Sequence, residues 1–461
     1  MKPAPQHHTS PGGMNRRDFV QLGAAAGIGA GMAALGRTAF AAVPENLGDA
    51  PEAPLAAPPI ENVRIGYVGV GGMGTNHVRN LLNIEGCQIV AVCDIVEERA
   101  VNAQKLVEEK GFPTPKAYTN GERDFQRMCA EEDLDLVYTA TPWQWHVPVC
   151  VSAMENGKHA ATEVPAAYTV EDCWKLVEGA EKYKKHCVMM ENCCYNRPEM
   201  QILLMVRQGV FGDLVHGEGG YLHDLRELKF SNAGEGLWRR RPTMERNGNL
   251  YPTHGLGPIA QCMNINRGDK FDYMVSMSSQ ALGMELYADE HFPEGDPRRD
   301  EKFSNGDYNT SLIKTAIGRT IMVQHNCDSP RPYSRINMLQ GTRAITQGYP
   351  DRIYIEGRSP AHTWEDLETY RAEFDHPLWK KLGPEAGGAG HGGMDFMEDY
   401  RLIKCLREGL PLDMDVYDAA AWSVVGPLSE QSVANRAQTV DFPDFTRGRW
   451  QTWQPLGIVE A

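Results

Sequence analysis

Short apolar runs alternate with amphipathic stretches along the first half of the chain. Apolar and β-branched residues predict strands at residues 63–68, 87–93, 134–140, 159–162 and 188–192. Apolar residues at helical spacing predict helices between them, at residues 76–84, 97–109, 147–156 and 170–184. Strands that alternate with helices in this way pack as a parallel sheet with helices on both faces. The pattern therefore predicts an α/β domain with a doubly wound parallel sheet over residues 63–192.

The pattern changes in the second half, where strand-like runs follow one another without regular helices between them. These runs lie at residues 215–223, 273–281, 308–316, 320–325, 335–340 and 352–357. They predict a C-terminal α+β domain over residues 193–435 with an open, mostly antiparallel sheet. Other predicted segments are helices at 395–408 and 416–435, loops at 285–305 and 384–393, and a tail at 436–461.

The first predicted strand runs into a glycine turn that fits G-x-G-x-x-G at Gly69, Gly71 and Gly74. Such glycines permit a tight bend, close approach of the backbone to a pyrophosphate, and close helix–strand packing. The second strand ends at Asp94, 20 residues after Gly74 (94 − 74), which is the usual spacing of an acid that binds a ribose hydroxyl. Together these features predict a Rossmann domain that binds a dinucleotide, and a carboxylate at this position favours NAD over NADP. The alternative is a glycine-rich turn without a ligand.

The N-terminal residues predict a targeting segment rather than part of the fold. Arg16 and Arg17 precede an apolar stretch at 22–35, and Ala39-Phe40-Ala41 offers a cleavage site. This arrangement resembles a twin-arginine signal over residues 1–41, followed by a Pro- and Ala-rich linker over 42–62. We therefore expect a periplasmic or extracellular protein that is exported already folded, without an integral membrane segment in the mature chain. A retained N-terminal anchor is the alternative.

Composition narrows the classes of partner. The chain has 461 residues and a net charge of −15, and no basic patch favours nucleic acid as a partner. Its eleven cysteines show no zinc-type spacing, so buried free thiols are the expected state. The histidines at 216, 223, 254 and 325 are scattered without H-x-x-x-H spacing, and we predict no metal.

The two predicted domains together resemble the glucose–fructose oxidoreductase / inositol dehydrogenase (Gfo/Idh/MocA) family. Dehydrogenases of that family carry a Glu-Lys-Pro motif whose lysine is a catalytic acid/base. Here the motif reads Glu163-Val164-Pro165, and valine cannot transfer a proton. The ordinary dehydrogenase reaction is therefore weakened at its central residue. The family's exposed sheet face implies dimers or tetramers, so a homo-oligomer is one expectation.

Four further stretches are similar to glycoside hydrolase family 109. They are Glu191 to Tyr195, Trp238-Arg239-Arg240, Gly248 to Pro258 and Asn264 to Asp269. That family includes NAD-dependent α-N-acetylgalactosaminidases. The resemblance implies hydrolysis through transient oxidation at sugar C3, loss of the C2 proton with departure of the glycosidic oxygen, addition of water and re-reduction. Net redox is zero, which suits an exported enzyme without a cofactor supply.

The resemblance also implies which residues bind NAD. Besides Gly69, Gly71 and Gly72 of the turn, the expected cofactor-binding residues are Met73, Gly74, Asp94, Trp143, Gln144, Trp145, His146, Glu163, Val164 and Asn192. For the two tryptophans, the alternative is that they fill the domain interface. For His146, the alternative is that it caps the following helix.

The residues around Tyr251 supply candidate chemistry. His254 is the leading base or acid, because a neutral imidazole exchanges protons near neutral pH. A histidine that makes one structural bond at a helix start is the alternative. Tyr251 and Tyr195 are the other candidate catalytic residues. The expected substrate-binding residues are Tyr221, Arg240, Tyr251, Pro252, Thr253, His254 and Tyr333.

Each of these candidates has a structural alternative. For Tyr195 and Tyr221 it is amphipathic packing, and for Arg240 it is a solvated basic run with Arg239 and Arg241. Three functions follow, in order. The first is an exported NAD-dependent glycosidase with a carbohydrate substrate. The second is an NAD-dependent sugar or inositol dehydrogenase that uses His254, and the third is a sugar-binding protein that keeps NAD as a structural element.

Overall fold

The computed structural model describes residue 44 and residues 47–458. The predicted signal segment, residues 1–41, lies outside the described residues. All described residues belong to one compact unit. No helix among them is long and apolar enough to cross a membrane. All eleven cysteines lie in the described part of the chain and are buried free thiols, as the sequence predicted.

The first sheet has six strands within the described residues, all parallel. They are β1 (Val63–Val68), β2 (Cys87–Cys93), β3 (Lys116–Tyr118), β4 (Leu136–Thr139), β5 (His159–Thr162) and β6 (Cys187–Met189). Their order is β3-β2-β1-β4-β5-β6, which is that of a dinucleotide-binding Rossmann sheet. Strands buried on both faces form apolar runs, and this explains why the sequence predicted most of them closely. The doubly wound parallel sheet is thus confirmed.

Five helices connect these strands. They are α1 (Gly72–Leu81), α2 (Glu97–Glu109), α3 (Asp124–Glu131), α4 (His146–Glu155) and α5 (Val170–Tyr183). The first helix begins at Gly72, inside the glycine motif, and not at residue 76 as the sequence predicted. Its first turn therefore points N–H groups from the motif itself toward the carboxyl ends of β1 and β2. Strand β3 and helix α3 were not predicted, because both are short and only partly apolar.

The second sheet contains nine strands within the described residues. They are β7 (Leu214–Leu222), β8 (Phe271–Ser278), β9 (Asn309–Thr315), β10 (Thr320–Asn326), β11 (Met338–Gly341), β12 (Ala344–Gln347), β13 (Arg352–Ile355), β14 (Glu365–Asp366) and β15 (Val440–Asp441). The order is β14-β13-β12-β11-β7-β10-β9-β8-β15. Only β7 and β10 pair in parallel among these strands. The predicted open, mostly antiparallel sheet is confirmed.

Ten helices accompany the second sheet in the described chain. They are α6 (Arg197–Arg207), α7 (Arg226–Phe230), α8 (Gly236–Glu245), α9 (Thr253–Cys262), α10 (Gly283–His291), α11 (Arg371–Phe374), α12 (Pro377–Ala386), α13 (Met394–Glu408), α14 (Val416–Ser423) and α15 (Val425–Ala434). The predicted helix over 416–435 is in fact two helices. Pro427 lies in the first turn of α15, where its missing N–H breaks the continuity of the preceding helix.

Two predicted loops were wrong in part. Residues 285–305 include most of α10, which forms because Met284 and Ala288 pack against Phe230 and Phe303 in a separate buried cluster. Residues 384–393 begin inside α12 and end in a short 3₁₀ turn. In both cases the glycines, prolines and charges of the sequence outweighed a weak helical pattern in the prediction.

Part of the predicted linker is packed and not free. Leu47 and Ala50 are buried, and Nε1 of Trp453 donates to the carbonyl oxygen of Glu52 at 3.0 Å. The segment that precedes β1 thus lies against the C-terminal tail. The domain boundaries at 63–192 and 193–435 stay predictions, although all strands of the first sheet lie in 63–189 and all strands of the second lie in 214–441.

Candidate active site

A cleft of about 370 Å³ lies at the carboxyl edge of the first sheet. Parallel α/β sheets bind ligands at this edge. One wall consists of predicted cofactor residues: Gly69, Gly71, Gly72, Met73, Asp94, Trp143, Gln144, Trp145, His146, Glu163 and Val164. The opposite wall comes from α8 and its neighbours, with Trp238, Arg239 and Tyr251. The structure thus brings most of the predicted cofactor residues into one cavity.

The glycine turn has the shape that a dinucleotide requires. Gly69 has a left-handed φ of +83°, and a Cβ there would lie 2.8 Å from the carbonyl oxygen of Ala140. A Cβ on Gly74 would lie 1.9 Å from the carbonyl oxygen of Gly69, so Gly74 permits helix–strand packing and does not line the cleft. In contrast, a Cβ on Gly72 would meet no atom within 4 Å. The open space above the start of α1 fits a pyrophosphate.

Asp94 joins the end of β2 to the glycine turn. Its carboxylate accepts hydrogen bonds from the N–H of Val70 at 3.0 Å and from the N–H of Val96 at 2.9 Å. The guanidinium of Arg99 lies 4.0 Å from the same carboxylate. Asp94 is buried, lines the cleft and carries a fixed orientation, as a ribose-binding acid requires.

The loop after β4 places two tryptophans on different sides. The ring of Trp143 packs against Trp238 and Tyr251, with centroids 5.0 and 5.8 Å apart. Trp145 packs instead against Phe125. Trp143 therefore lines the cleft and also fills the contact between its two walls, which combines the two interpretations of the sequence.

His146 lies below this loop as a buried side chain. Its Nδ1 and Nε2 each lie 2.8 Å from a backbone carbonyl oxygen, of Pro165 and Thr141. Burial lowers the pKa of His146, although both carbonyls oppose this. Both ring nitrogens are thus used to fix the loop to the segment that carries Glu163 and Val164.

Glu163 is held by a buried ionic network. Its Oε1 lies 2.8 Å from Nε2 of His77, whose Nδ1 lies 2.9 Å from Asp399. Burial acts to lower the pKa of His77, but the charges of Asp399 and Glu163 and their hydrogen bonds raise it well above its ordinary value. Val164 is buried beside Glu163, so no proton-transferring group occupies the position of the related enzymes' lysine.

His254 forms a dyad with Glu191, a residue that the sequence did not identify as part of the site. Nδ1 of His254 lies 2.7 Å from Oε1 of Glu191, and the glutamate side chain is fully buried. Burial acts to raise the pKa of Glu191, but the charge and hydrogen bond of His254 hold it below its ordinary value. Glu191 is therefore an anion that orients the imidazole. The available signal was its position after β6, next to the predicted site residue Asn192.

Three tyrosines form an aromatic wall around this dyad. The rings of Tyr221 and Tyr251 lie 5.4 and 4.9 Å from the His254 ring and 4.6 Å from each other. Tyr333 packs on Tyr221 at 6.2 Å, and its hydroxyl accepts a hydrogen bond from Arg335 at 3.1 Å. Burial raises the pKa of Tyr251 well above its ordinary value, so its hydroxyl stays protonated and can donate. The structure thus brings together the predicted residues 221, 251, 254 and 333.

Arg239 lies in the cleft, whereas the predicted Arg240 does not. The Arg239 guanidinium lies 5.0 Å from the ring centroids of both Trp238 and Tyr251. In contrast, Arg240 lies over Phe230 and 3.5 Å from the carboxylate of Glu301. One residue along a helix rotates the side chain by about 100°. The run of three arginines therefore could not show which one faces the cleft.

The remaining predicted residues have structural partners. The hydroxyl of Tyr195 donates to Asp413 at 3.1 Å, and Asp413 also pairs with Arg401. The structure places Tyr195 in that network and not on His254. Nδ2 of Asn192 donates to Asp395 at 2.7 Å. The last two residues are Pro252 and Thr253, which are buried at the start of α9.

Donor atoms of Glu191, Cys193 and His254 all lie within 4.8 Å of one another. The sequence did not suggest this group, because His254 is 63 residues from Glu191. Burial raises the pKa of the Cys193 thiol well above its ordinary value, and the thiol donates to Oδ1 of Asn192 at 3.4 Å. A neutral thiol is a poor metal ligand, so the arrangement favours the His254–Glu191 hydrogen bond. The absence of a metal stays a prediction.

Comparison with known proteins agrees with this site. Residues 63–191 match the oxidoreductase family with an NAD-binding Rossmann fold, Gfo/Idh/MocA. Residues 195–452 match the C-terminal domain of glycosyl hydrolase 109. The chain is 48% identical over 452 residues to a glycosyl hydrolase family 109 protein of Shewanella pealeana, which covers 97% of this chain and 99% of that protein. A family 109 protein of Shewanella woodyi is 50% identical over 422 residues, with coverages of 88% and 90%.

Solved structures show the same fold at low identity. A levoglucosan dehydrogenase in complex with NADH and L-sorbose superposes with a TM-score of 0.65 at 18% identity, over 84% of this chain and all of that one. An inositol dehydrogenase homologue from Azotobacter vinelandii in complex with NAD⁺ has a TM-score of 0.61 at 18% identity, over 85% of this chain and 100% of that one. These likenesses support the two-sheet architecture.

Proposed function

Because the chain belongs to glycosyl hydrolase family 109 and has an NAD-binding Rossmann domain, we propose that it hydrolyses α-N-acetylgalactosaminides with NAD as a recycled cofactor. The observation that carries this proposal is the His254–Glu191 dyad beside a cleft in which Val164 replaces the dehydrogenase lysine. NAD bound in the cleft supplies a reversible hydride acceptor for the sugar. The protein side chains then have to hold the sugar and move its protons.

His254 is suited to that proton transfer. Glu191 engages Nδ1, which leaves Nε2 for the substrate, and the imidazole side chain is 12% exposed. A buried anion on Nδ1 fixes the tautomer and stabilises the imidazolium that forms when Nε2 accepts a proton. The same nitrogen can return a proton when the departing glycosidic oxygen or the added water requires one.

The aromatic wall and Arg239 are suited to hold the sugar. Tyrosine rings provide apolar faces for the sugar ring, and their protonated hydroxyls donate to sugar oxygens. Arg239 is buried and pairs with Glu235 at 2.6 Å. Its guanidinium adds charged donors at the wall opposite the glycine turn, where an acetamido or hydroxyl oxygen can be bound.

A direct test uses the purified protein without added NAD and p-nitrophenyl α-N-acetylgalactosaminide. The release of p-nitrophenol and the absorbance of NADH are followed together. We expect many turnovers without net NADH. If no aryl glycoside in a wider panel is cleaved, with or without NAD, the glycosidase proposal fails.

A second candidate function is an NAD-dependent sugar or inositol dehydrogenase. It is favoured by the fold shared with the levoglucosan dehydrogenase, which binds NADH and a sugar. His254 could accept the alcohol proton in place of the missing lysine. This function requires NADH to accumulate in proportion to an oxidised free sugar or polyol, which the same spectroscopic assay measures.

We also propose that the protein is exported by the twin-arginine route. The support is the pair Arg16-Arg17 before an apolar stretch and an A-x-A site. A cofactor that returns to its starting state in every turnover can function where free NAD is absent. Cell fractionation of the wild type and an Arg16→Lys, Arg17→Lys variant tests this, because the variant should stay in the cytoplasm.

A further inference from the structure

A second chamber of about 830 Å³ adjoins the cofactor cleft at the glycine turn. The two cavities share Gly71, Gly72, Met73, Arg99 and Glu235 as lining residues. The chamber is also lined by charged side chains from α1 and α2: Arg79, Lys105 and Glu109. One lining residue, His391, comes from a distant part of the chain, just before α13.

The backbone that carries His391 has an unusual conformation. His391, Gly392 and Gly393 have consecutive positive φ values of 49°, 72° and 98°. A left-handed conformation is uncommon for a residue other than glycine, and such strain persists where the surrounding structure over-determines it. Here the determining contact is a hydrogen bond of 2.7 Å between Nδ1 of His391 and Oδ2 of Asp395. The segment thus fixes the imidazole at the chamber.

Asp395 links His391 to the predicted cofactor residue Asn192. The carboxylate is fully buried and is shared, because its Oδ1 accepts from Nδ2 of Asn192 at 2.7 Å. The side chain of His391 is 50% exposed. Its Nδ1 is occupied, and no hydrogen-bond partner of Nε2 is present among the described residues. A single buried carboxylate therefore orients groups on two sides of the site.

The charges around His391 favour its protonated form. The hydrogen bond from Asp395 raises the pKa of His391, burial opposes this, and the charge of Glu163 raises it further while His77 lowers it. The other charged groups that line the chamber are Arg79, Arg99, Lys105, Glu109 and Glu235. Only His391 among these groups changes its charge near neutral pH.

We propose that His391 is a cofactor-binding residue that donates a charge-assisted hydrogen bond from Nε2 to the pyrophosphate of the bound dinucleotide. The imidazolium reaches the phosphate end of the cleft from the second half of the chain, while the N–H groups of α1 reach it from the first. This inference rests on the proposed NAD-dependent function. Its consequence is slow release of NAD, which a cofactor recycled in every turnover needs.

The test compares NAD release from two asparagine variants. His391→Asn removes the cation, and asparagine tolerates a left-handed backbone. His362→Asn is the matched control, because His362 is exposed, has a φ of 59° and lines neither chamber. Each purified protein is loaded with NAD and mixed with excess NADH, and the rise in bound NADH fluorescence reports the rate of NAD dissociation.

We expect His391→Asn to release NAD about tenfold faster than the wild type, and His362→Asn to match the wild type. In the wild type, release should also accelerate as pH rises through the pKa of His391, and this acceleration should be absent in His391→Asn. Equal release rates for His391→Asn and the wild type would overturn the inference alone. If no protein, including the wild type, gives a bound NADH signal, the NAD-dependent function fails with it.

Discussion

Nδ1 of His254 lies 2.7 Å from Oε1 of Glu191, and these two residues come from different parts of the fold. Glu191 follows the last strand of the parallel sheet, whereas His254 lies in the first turn of α9. The hydrogen bond therefore couples the cofactor domain to the aromatic wall that contains Tyr251. A catalytic imidazole in this position depends on a carboxylate that belongs to the other half of the chain.

The first prediction concerns this carboxylate. Glu191→Gln keeps the size of the side chain but removes the charge that stabilises an imidazolium at His254. We expect kcat to fall by about 100-fold with a smaller change in KM. Steady-state kinetics on NAD-loaded, folded protein measure the effect.

Two variants make that experiment specific. If Glu191 acts through His254, a Glu191→Gln, His254→Ala double variant should be no slower than His254→Ala alone. Glu181→Gln is a control for loss of a largely buried ion pair, because Glu181 pairs with Arg447 away from the cleft. Its kcat should stay at the wild-type value. Additive losses from the two active-site substitutions would contradict a positioning role.

The second prediction separates two neighbouring arginines. Arg239 is packed on Trp143, Trp238 and Tyr251, whereas Arg240 lies beside Glu301. We expect Arg239→Ala to lower kcat/KM by about 100-fold and Arg240→Ala by less than about threefold. Both substitutions lie on the same helix, so each controls for the helix propensity of the other. A larger loss from Arg240→Ala would restore the choice that the sequence favoured.

The parallel sheet could be predicted from the sequence because its signals are local. Buried strands form apolar runs, and the glycine motif with Asp94 has a fixed spacing. The helix over 283–291 could not be predicted in this way, because its stability comes from packing of Met284 and Ala288 onto Phe230 and Phe303. Tertiary contacts of this kind outweigh local propensity.

The site was predicted in part for a similar reason. Tyr251 and His254 are three residues apart on the chain, so their cooperation was visible in the sequence. The partner of His254 is 63 residues away, and the orientation of Arg239 depends on how α8 packs. Likewise, the contact between Tyr195 and Asp413 spans 218 residues. Pairings between distant elements depend on the folded structure, and residue type alone does not specify them.

The third prediction tests the packing role of one glycine. A Cβ on Gly74 would lie 1.9 Å from the carbonyl oxygen of Gly69, and a Cβ on Gly72 would meet no atom within 4 Å. We expect Gly74→Ala to destabilise the fold by about 2 kcal/mol or more, because backbone has to move. Gly72→Ala should be neutral or stabilise the helix by up to about 1 kcal/mol. Denaturant unfolding of the NAD-free proteins measures both, and equal stabilities would contradict the close approach.

The last prediction concerns the pH dependence of stability at His77, which lies between Asp399 and Glu163. Burial acts to lower the pKa of His77, but these two carboxylates raise it well above the ordinary value of 6.5. A raised folded-state pKa contributes stability that is fully present below 6.5 and is lost as pH rises through the folded value. The gap in Tm between the wild type and His77→Gln should therefore be largest below pH 6.5 and should narrow above the folded-state pKa. Asp399→Asn should show a smaller gap of the same sign, and His362→Gln none. A gap for His77→Gln that does not change with pH would show that the buried imidazole is neutral.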